Sequence, residues 1–159
     1  QARLRAVILM AVANRQNSLL LATSNKSELA TGYSTLYGDM CGALMPIGDL
    51  LKSDVYELAE LYNKDRHLIP RRIIDRPPSA ELRPNQRDED SLPPYPLLDP
   101  AVEKLVEAYR PAVGAVEEKV LELMLRTEFK RWQAPPVLNV TPHSFGRGRR
   151  LPIAHQATT

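Results

Sequence analysis

The apolar run Leu19-Leu20-Leu21-Ala22 passes without a spacer into Thr23-Ser24-Asn25-Lys26-Ser27-Glu28, and this junction constrains the fold more than any other stretch. Apolar residues bring a chain out of a core, and polar residues placed where a strand stops meet a ligand. The pattern is that of a buried parallel strand whose carboxyl end opens into a crevice. Downstream, Tyr37-Gly38-Asp39-Met40-Cys41-Gly42-Ala43 reads as a loop in which Gly38 and Gly42 allow backbone conformations that side chains resist. On spacing alone, Thr23 serves equally as a turn residue or as a ligand contact.

Helical periodicity flanks the junction. Leu4, Val7, Ile8, Ala11 and Val12 recur on one face of a helix ending near Asn14. Arg3 and Arg5 stand at its start, where the helix dipole does not favour cations, and read as solvated arginines. Asn25 followed by Glu28 fits a capping box. A competing reading gives the same Glu28 carboxylate to a cation beside phosphates. Leu51, Val55, Leu58, Ala59 and Tyr62 predict a further helix over about 50–63, with Lys52 at its amino end. That lysine is either a surface residue or, with free helix amides, part of a phosphate site.

Half of the fourteen prolines stand at positions 77, 78, 84, 93, 94, 96 and 100, among Arg83, Arg87, Asp88, Glu89 and Asp90. Proline removes backbone donors and resists helix, so residues 76–98 are expected to form a long irregular loop, a plain surface segment or a mobile lid. Asp99-Pro100 then offers a helix start, with Val102, Leu105, Val106 and Tyr109 on the apolar face and Pro111 as its stop. Val113, Val116, Val120, Leu123 and Met124 mark another helix. Beyond it, Glu128, Lys130 and Arg131 read as a solvated face beside two aromatic anchors, Phe129 and Trp132. Arg147, Arg149 and Arg150 read as a solvated basic tail.

Composition excludes more than it assigns. A chain of 159 residues suffices for one modest domain with a core, and a formal charge of +2 gives no broad electrostatic case for nucleic acid. Cys41 is the single cysteine, which excludes an internal disulfide and suits a reducing compartment. No apolar run reaches membrane length and no signal-peptide pattern is present, so the expected location is cytoplasmic. His67, His143 and His155 lack metal-ligand spacing, and no Ser-His-Asp arrangement is visible. What remains is a set of cations, small hydroxyls and one placed carboxylate around a crevice. Such a set suits nucleotidyl transfer, which depends on positioning and on neutralising phosphate charge.

Five segments carry a family resemblance: Gln1-Ala2-Arg3-Leu4-Arg5, the run from Thr23 to Gly32, Tyr33 to Asp39, Arg76-Pro77-Pro78-Ser79-Ala80-Glu81-Leu82, and Glu128 to Pro136. From residue 1 to about Ile153 the chain resembles the synthetase domain of the NAD synthetases, in wording closest to their glutamine-dependent branch. In ammonia-dependent members a lysine and an aspartate contact the substrate from the loop after Gly32. The matching positions here are Leu36 and Ala43, so those contacts are not carried over. The resemblance implies an α/β, Rossmann-like ATP-pyrophosphatase fold (adenine nucleotide alpha-hydrolase-like), of which residues 1–159 would be the C-terminal portion with added helices. It implies ATP-dependent amidation of deamido-NAD to NAD through an adenylated intermediate, with ammonia derived from glutamine.

Residue by residue, the resemblance implies that Thr23, Lys52 and Ser79 contact ATP, and that Arg3, Glu28 and Lys130 contact deamido-NAD. Glu28 would also hold Mg2+, and Lys52 and Glu28 would act in catalysis. A lid over 76–98 would keep water from an acyl-adenylate. The family commonly forms dimers, so a homo-oligomer is expected, with neither nucleic acid nor membrane as a partner. The family's Ser-Gly-Gly-x-Asp-Ser phosphate loop and an amidase domain are expected upstream in a longer chain, leaving residues 1–159 alone with little or no turnover. Two other readings stay open at this stage. One is a different ATP pyrophosphatase, such as a GMP synthetase or a tRNA-modifying enzyme. The other is a non-catalytic fragment that completes a dimer or partner site.

Overall fold

The computed structural model describes residues 1–80, 82–146 and 149–153; Glu81, Arg147 and His155, named above, lie outside them. Helix α1 (Ala2–Gln16) leads, followed by α2 (Lys26–Thr31), α3 (Lys52–Asn63), α4 (Arg71–Ile74), a 3-10 turn (Asp88–Asp90), α5 (Tyr95–Val106), α6 (Ala115–Arg126) and α7 (Glu128–Arg131). None of these helices is long and apolar enough to cross a membrane.

The strand expected at Leu19–Ala22 shrinks to a single parallel bridge between Leu21 and Leu44, and a second parallel bridge joins Met45 to Val137. Backbone bonds fix the register: Ala43 N donates to Leu20 O at 2.8 Å, Ala22 N to Leu44 O at 2.9 Å and Met45 N to Pro136 O at 2.9 Å. Three short parallel segments therefore lie side by side, with 43–45 in the middle. The ladder stops where Pro46 has no amide to donate and where the chain after Ala22 turns toward the cap of α2. On the outer side Leu19 and Leu21 are exposed.

Helix α2 sits at the centre of the packing. Lys26, Ser27, Leu29, Ala30 and Thr31 are all buried within its six residues. So polar a helix can enter a core only if each polar group finds a partner there. Helices α5 and α6 cover it, and their Leu98, Val102, Val106, Val120 and Met124 are enclosed. Each such side chain contributes about 1.5–3 kcal/mol by leaving water.

Helix α5 begins at Tyr95 and not at Pro100, so the last four residues of the expected loop are helical. Pro94 caps it and Pro96 falls in the first turn, where a missing amide removes no intrahelical bond. Asp99, expected as the cap of its own helix, instead caps α3: it accepts from Ser53 N at 2.8 Å and from the Ser27 hydroxyl at 2.6 Å. Tyr109 lies beyond the end of α5 and is exposed.

Gly38 and Gly42 are not needed for unusual dihedrals. The left-handed residue of their loop is Tyr37, at φ 62°. These glycines are needed for close approach, since a Cβ on Gly42 would stand 2.7 Å from Ala22 N and one on Gly38 would stand 2.9 Å from Ala2 Cβ. The expected apolar face of α1 is also not a core face within this chain: Leu4, Val7 and Ile8 are 70%, 66% and 64% exposed, while Ala6 and Ala13 turn inward. On α3, Leu58 and Tyr62 are likewise exposed.

Candidate active site

A cavity of about 470 Å³ opens where the start of α1, the end of α2, the start of α3, the loop around 79–88 and α7 converge. Glu28, Lys52, Ser79 and Lys130 line it, so four of the six residues singled out from the sequence share one wall. Thr23 and Arg3 do not. Thr23 is exposed beside the sheet segment. Arg3 Nε donates to Leu36 O at 3.1 Å, and Arg5 takes the place in the wall instead.

Glu28 serves two roles, one with each oxygen. The capping box is formed: Asn25 Oδ1 accepts from Glu28 N at 3.0 Å, and Glu28 Oε2 accepts from Asn25 N at 3.2 Å. Glu28 Oε1 accepts from Lys52 Nζ at 3.1 Å. The cap thus occupies one oxygen and the ion pair with Lys52 the other, since a carboxylate has two acceptor atoms. Burial pushes the Glu28 carboxyl above its ordinary range, against the pull of Lys52.

Lys52 Nζ also stands 5.5 Å from the centre of the Tyr95 ring. The amides at Lys52 and on either side of it are engaged rather than free. Lys52 N donates to Ser27 Oγ at 3.0 Å, Leu51 N to Asp54 Oδ2 at 2.8 Å, and Ser53 N to Asp99. Those side chains cap α3, so what Lys52 presents to the cavity is its ammonium rather than these amides.

Lys130 reaches back from α7 and donates to Gly32 O at 2.7 Å and Ser34 O at 2.8 Å. An ammonium has three donors, which leaves one for the cavity. Burial holds Lys130 below the usual lysine range, with Asp39 acting in the opposite direction. The rest of α7 inverts the expectation of a solvated face. Glu128 and Arg131 are 3% and 5% exposed, whereas Phe129 and Trp132 face outward. Arg131 donates to Leu29 O and Ala30 O at 2.9 Å each and pairs with Glu128 at 2.7 Å. It thereby answers carbonyls near the end of α2 that helix geometry leaves open. In the tail, Arg149 and Arg150 stack on Tyr109 and Trp132 rather than standing free in solvent.

Several participants carried no signal strong enough to be found in the sequence. Asp88 lies within a proline-interrupted loop, yet it is buried in the cavity wall and accepts from the Tyr95 hydroxyl at 2.7 Å. Gln86 Nε2 donates to the Tyr33 hydroxyl at 3.2 Å. Ser34 Oγ and Asp88 Oδ1, both on lining residues, are buried without a hydrogen-bond partner. Unpaired buried polar atoms are rare in native folds, and two of them stand on residues of this wall.

Behind the wall, Lys26 Nζ meets Asp49 Oδ1 at 2.8 Å, Thr141 Oγ1 at 2.8 Å, His143 O at 3.0 Å and the Glu107 carboxylate. This buried hub holds Lys26, the residue directly before Ser27, to segments around Asp49, Glu107, Thr141 and His143.

The family profile described as NAD synthase matches residues 1–134. The chain belongs to the NAD synthase family. It is 47% identical over 162 residues to the glutamine-dependent NAD(+) synthetase of Synechocystis sp., covering 97% of this chain and 29% of that protein. The relative of the same name from Xylella fastidiosa is 48% identical over 166 residues, covering 98% and 30%. The chain thus spans about a third or less of the length of these curated relatives. Among solved structures, the NMN synthetase of Francisella tularensis superposes with a TM-score of 0.70 at 30% identity, over 89% of this chain and 53% of that one. A glutamine-dependent NAD(+) synthetase from Cytophaga hutchinsonii gives a TM-score of 0.71 at 23% identity, over 98% and 28%, and so bears on the fold alone. The architecture is therefore the NAD synthase family's Rossmann-like ATP-pyrophosphatase fold, represented here by a mainly helical portion.

Proposed function

We propose that this chain is the C-terminal part of a glutamine-dependent NAD synthetase, a cytoplasmic carbon–nitrogen ligase that amidates deamido-NAD at the expense of ATP. The observation that carries the reading is the convergence of Glu28, Lys52, Ser79 and Lys130 on one cavity. In the first step a carboxylate oxygen of the nicotinate attacks the α-phosphorus of ATP, and pyrophosphate leaves. In the second, ammonia attacks the adenylated carboxyl carbon, loses a proton, and AMP departs. The protein supplies no nucleophile. Its work is to hold the two anions in line and to offset developing charge.

Within that scheme Lys52 and Ser79 bind ATP. Lys52 is held by Glu28 and Tyr95, so its ammonium is positioned before the nucleotide arrives. Lys130 directs its remaining donor to the dinucleotide, and Glu28 faces both substrates. Thr23 and Arg3 contact the parts of ATP and deamido-NAD that extend past the cavity rim. The loop 76–94 acts as the lid, since Ser79, Ala80, Leu82, Gln86 and Asp88 form one side of the cavity. The oxygen-rich wall at Glu28 fits Mg2+, a hard cation held by one or two carboxylates beside phosphate and water, which when bound would offset charge on the departing pyrophosphate. The upstream part of the protein would add the phosphate loop and the glutamine amidase, and the whole would assemble at least as a dimer. The high identity to relatives named for NAD favours deamido-NAD over the mononucleotide named for the Francisella protein.

The test is NAD formation by the complete gene product from ATP, Mg2+ and deamido-NAD, with glutamine or ammonia supplied in turn. Activity with both is expected, with a loss of at least a hundredfold in Lys52→Ala and Glu28→Ala. Activity with ammonia alone would remove the amidase from the scheme. No NAD from either source would overturn the reading and return the other ATP pyrophosphatase reactions to consideration.

A further inference from the structure

Asp88 is 4% exposed, and its Oδ1 has no hydrogen-bond partner although the residue stands in the cavity wall. Its other groups are fixed. Oδ2 accepts from the Tyr95 hydroxyl at 2.7 Å, and its amide donates to Pro78 O at 3.0 Å, closing the base of the loop. A buried carboxylate oxygen with no donor bears its full desolvation cost.

The groups that face it do not relieve that cost. Glu28 carries the same charge. Lys52 is on Glu28 Oε1 and over the Tyr95 ring, and Lys130 is on two carbonyls. The Tyr33 hydroxyl accepts from Gln86 and lies close enough to feel the Asp88 charge, so that burial and that charge raise its pKa, but it makes no well-formed hydrogen bond to Oδ1. The charged side chains of the wall also balance: Arg5, Lys52 and Lys130 stand against Glu28, Asp39 and Asp88. A polyphosphate entering such a cavity brings negative charge that these residues cannot offset. A hard divalent cation between carboxylate oxygens and phosphate can.

We propose that Asp88 is a second carboxylate ligand of the divalent cation assigned above to Glu28, so that the cation joins the loop to α2. The assignment rests on the synthetase reading of the cavity. Tyr95 holds Oδ2 and anchors the loop, and Oδ1 is the carboxylate oxygen left without a hydrogen bond. Nucleotide, cation and loop closure are then coupled: the loop delivers one ligand, and the cation holds the loop down.

The test uses the complete synthetase with Mn2+ as the probe, read by electron paramagnetic resonance with and without a non-hydrolysable ATP analogue. Asp88→Asn and Glu28→Gln are each expected to weaken Mn2+ at least tenfold in the presence of the analogue. Tyr95→Phe, which loses the loop anchor but keeps the carboxylate, is expected to change it less than threefold. Retained Mn2+ affinity in Asp88→Asn, with the loss seen in Glu28→Gln, would overturn the proposal. So would a Tyr95→Phe variant as weak as Asp88→Asn, because Asp88 would then act only as an anchor. Unchanged affinity in Glu28→Gln would count instead against the cation reading of Glu28 itself, and NAD formation by the wild type reports separately on the synthetase reading. If Asp88→Asn does not fold, Asp88→Glu takes its place. An altered Mn2+ spectrum in that variant supports ligation, and an unaltered spectrum and affinity refute it.

Discussion

Arg131 and Glu128 lie buried on a helix whose aromatic residues face outward, and the energetic consequence is large. Replacing Arg131 by methionine leaves Glu128 enclosed without its partner and carbonyls of α2 without a donor. The expected cost is about 3–5 kcal/mol, read as a lower denaturation midpoint. Asp49 gives a prediction in pH. Burial pushes its carboxyl up, but Lys26 and the amides of Thr141 and Val140 outweigh burial, so its folded value lies below the ordinary carboxylate range. The stability it supplies is present above the ordinary Asp value and is lost as pH falls through the depressed folded value. Val140 and Thr141 amides donate to Asp49 at 2.8 and 2.7 Å, and their protection factors, measured against intrinsic exchange at each pH, should fall across that acid window. Asp49→Asn should flatten the dependence. At this scale the sequence displayed the charges but not their direction. Four residues, Glu128–Arg131, give too little periodicity to say which side faces a core.

The helices with long apolar repeats, α1, α3, α5 and α6, were legible from spacing alone, whereas their ends depended on contacts across the chain. Asp99 shows why. An aspartate before a proline is a good local cap, yet the fold places this one opposite the amino end of α3, 46 residues away in sequence. Asp99→Ala should therefore leave α5 formed and destabilise the start of α3, by about 0.5–2 kcal/mol, with faster amide exchange at Lys52 and Ser53. The stretch at 19–22 pairs in parallel as expected, but through a single bridge, and it is not buried as expected, since Leu19 and Leu21 are exposed; its length and cover depend on the segments that pair with it. Of the site, the cations and the placed carboxylate were visible in the motifs. Asp88 was not, since its burial is a property of where the proline-rich loop lands.

Across the whole molecule, apolar side chains of α1 and α3 turn outward: Leu4, Val7 and Ile8 on one, Leu58, Leu61 and Tyr62 on the other. Contiguous faces of this kind are normally covered by another surface. The 159-residue chain prepared alone is expected to bind hydrophobic dyes and to self-associate, and Leu4→Glu with Ile8→Glu should reduce both, as read by fluorescence and light scattering. The Lys26 hub bears on how the chain comes off the ribosome. Two of its acceptors, Thr141 and His143, lie 115 and 117 residues downstream. Until they emerge, an ammonium destined for the interior has incomplete company, and α2 has reason to stay hydrated. Long sequence separations of this kind slow folding. Helix α2 and the site it carries would thus be among the last parts to settle during synthesis. A nascent chain interrupted before Thr141 would hold every residue of the cavity and still lack the means to lock it.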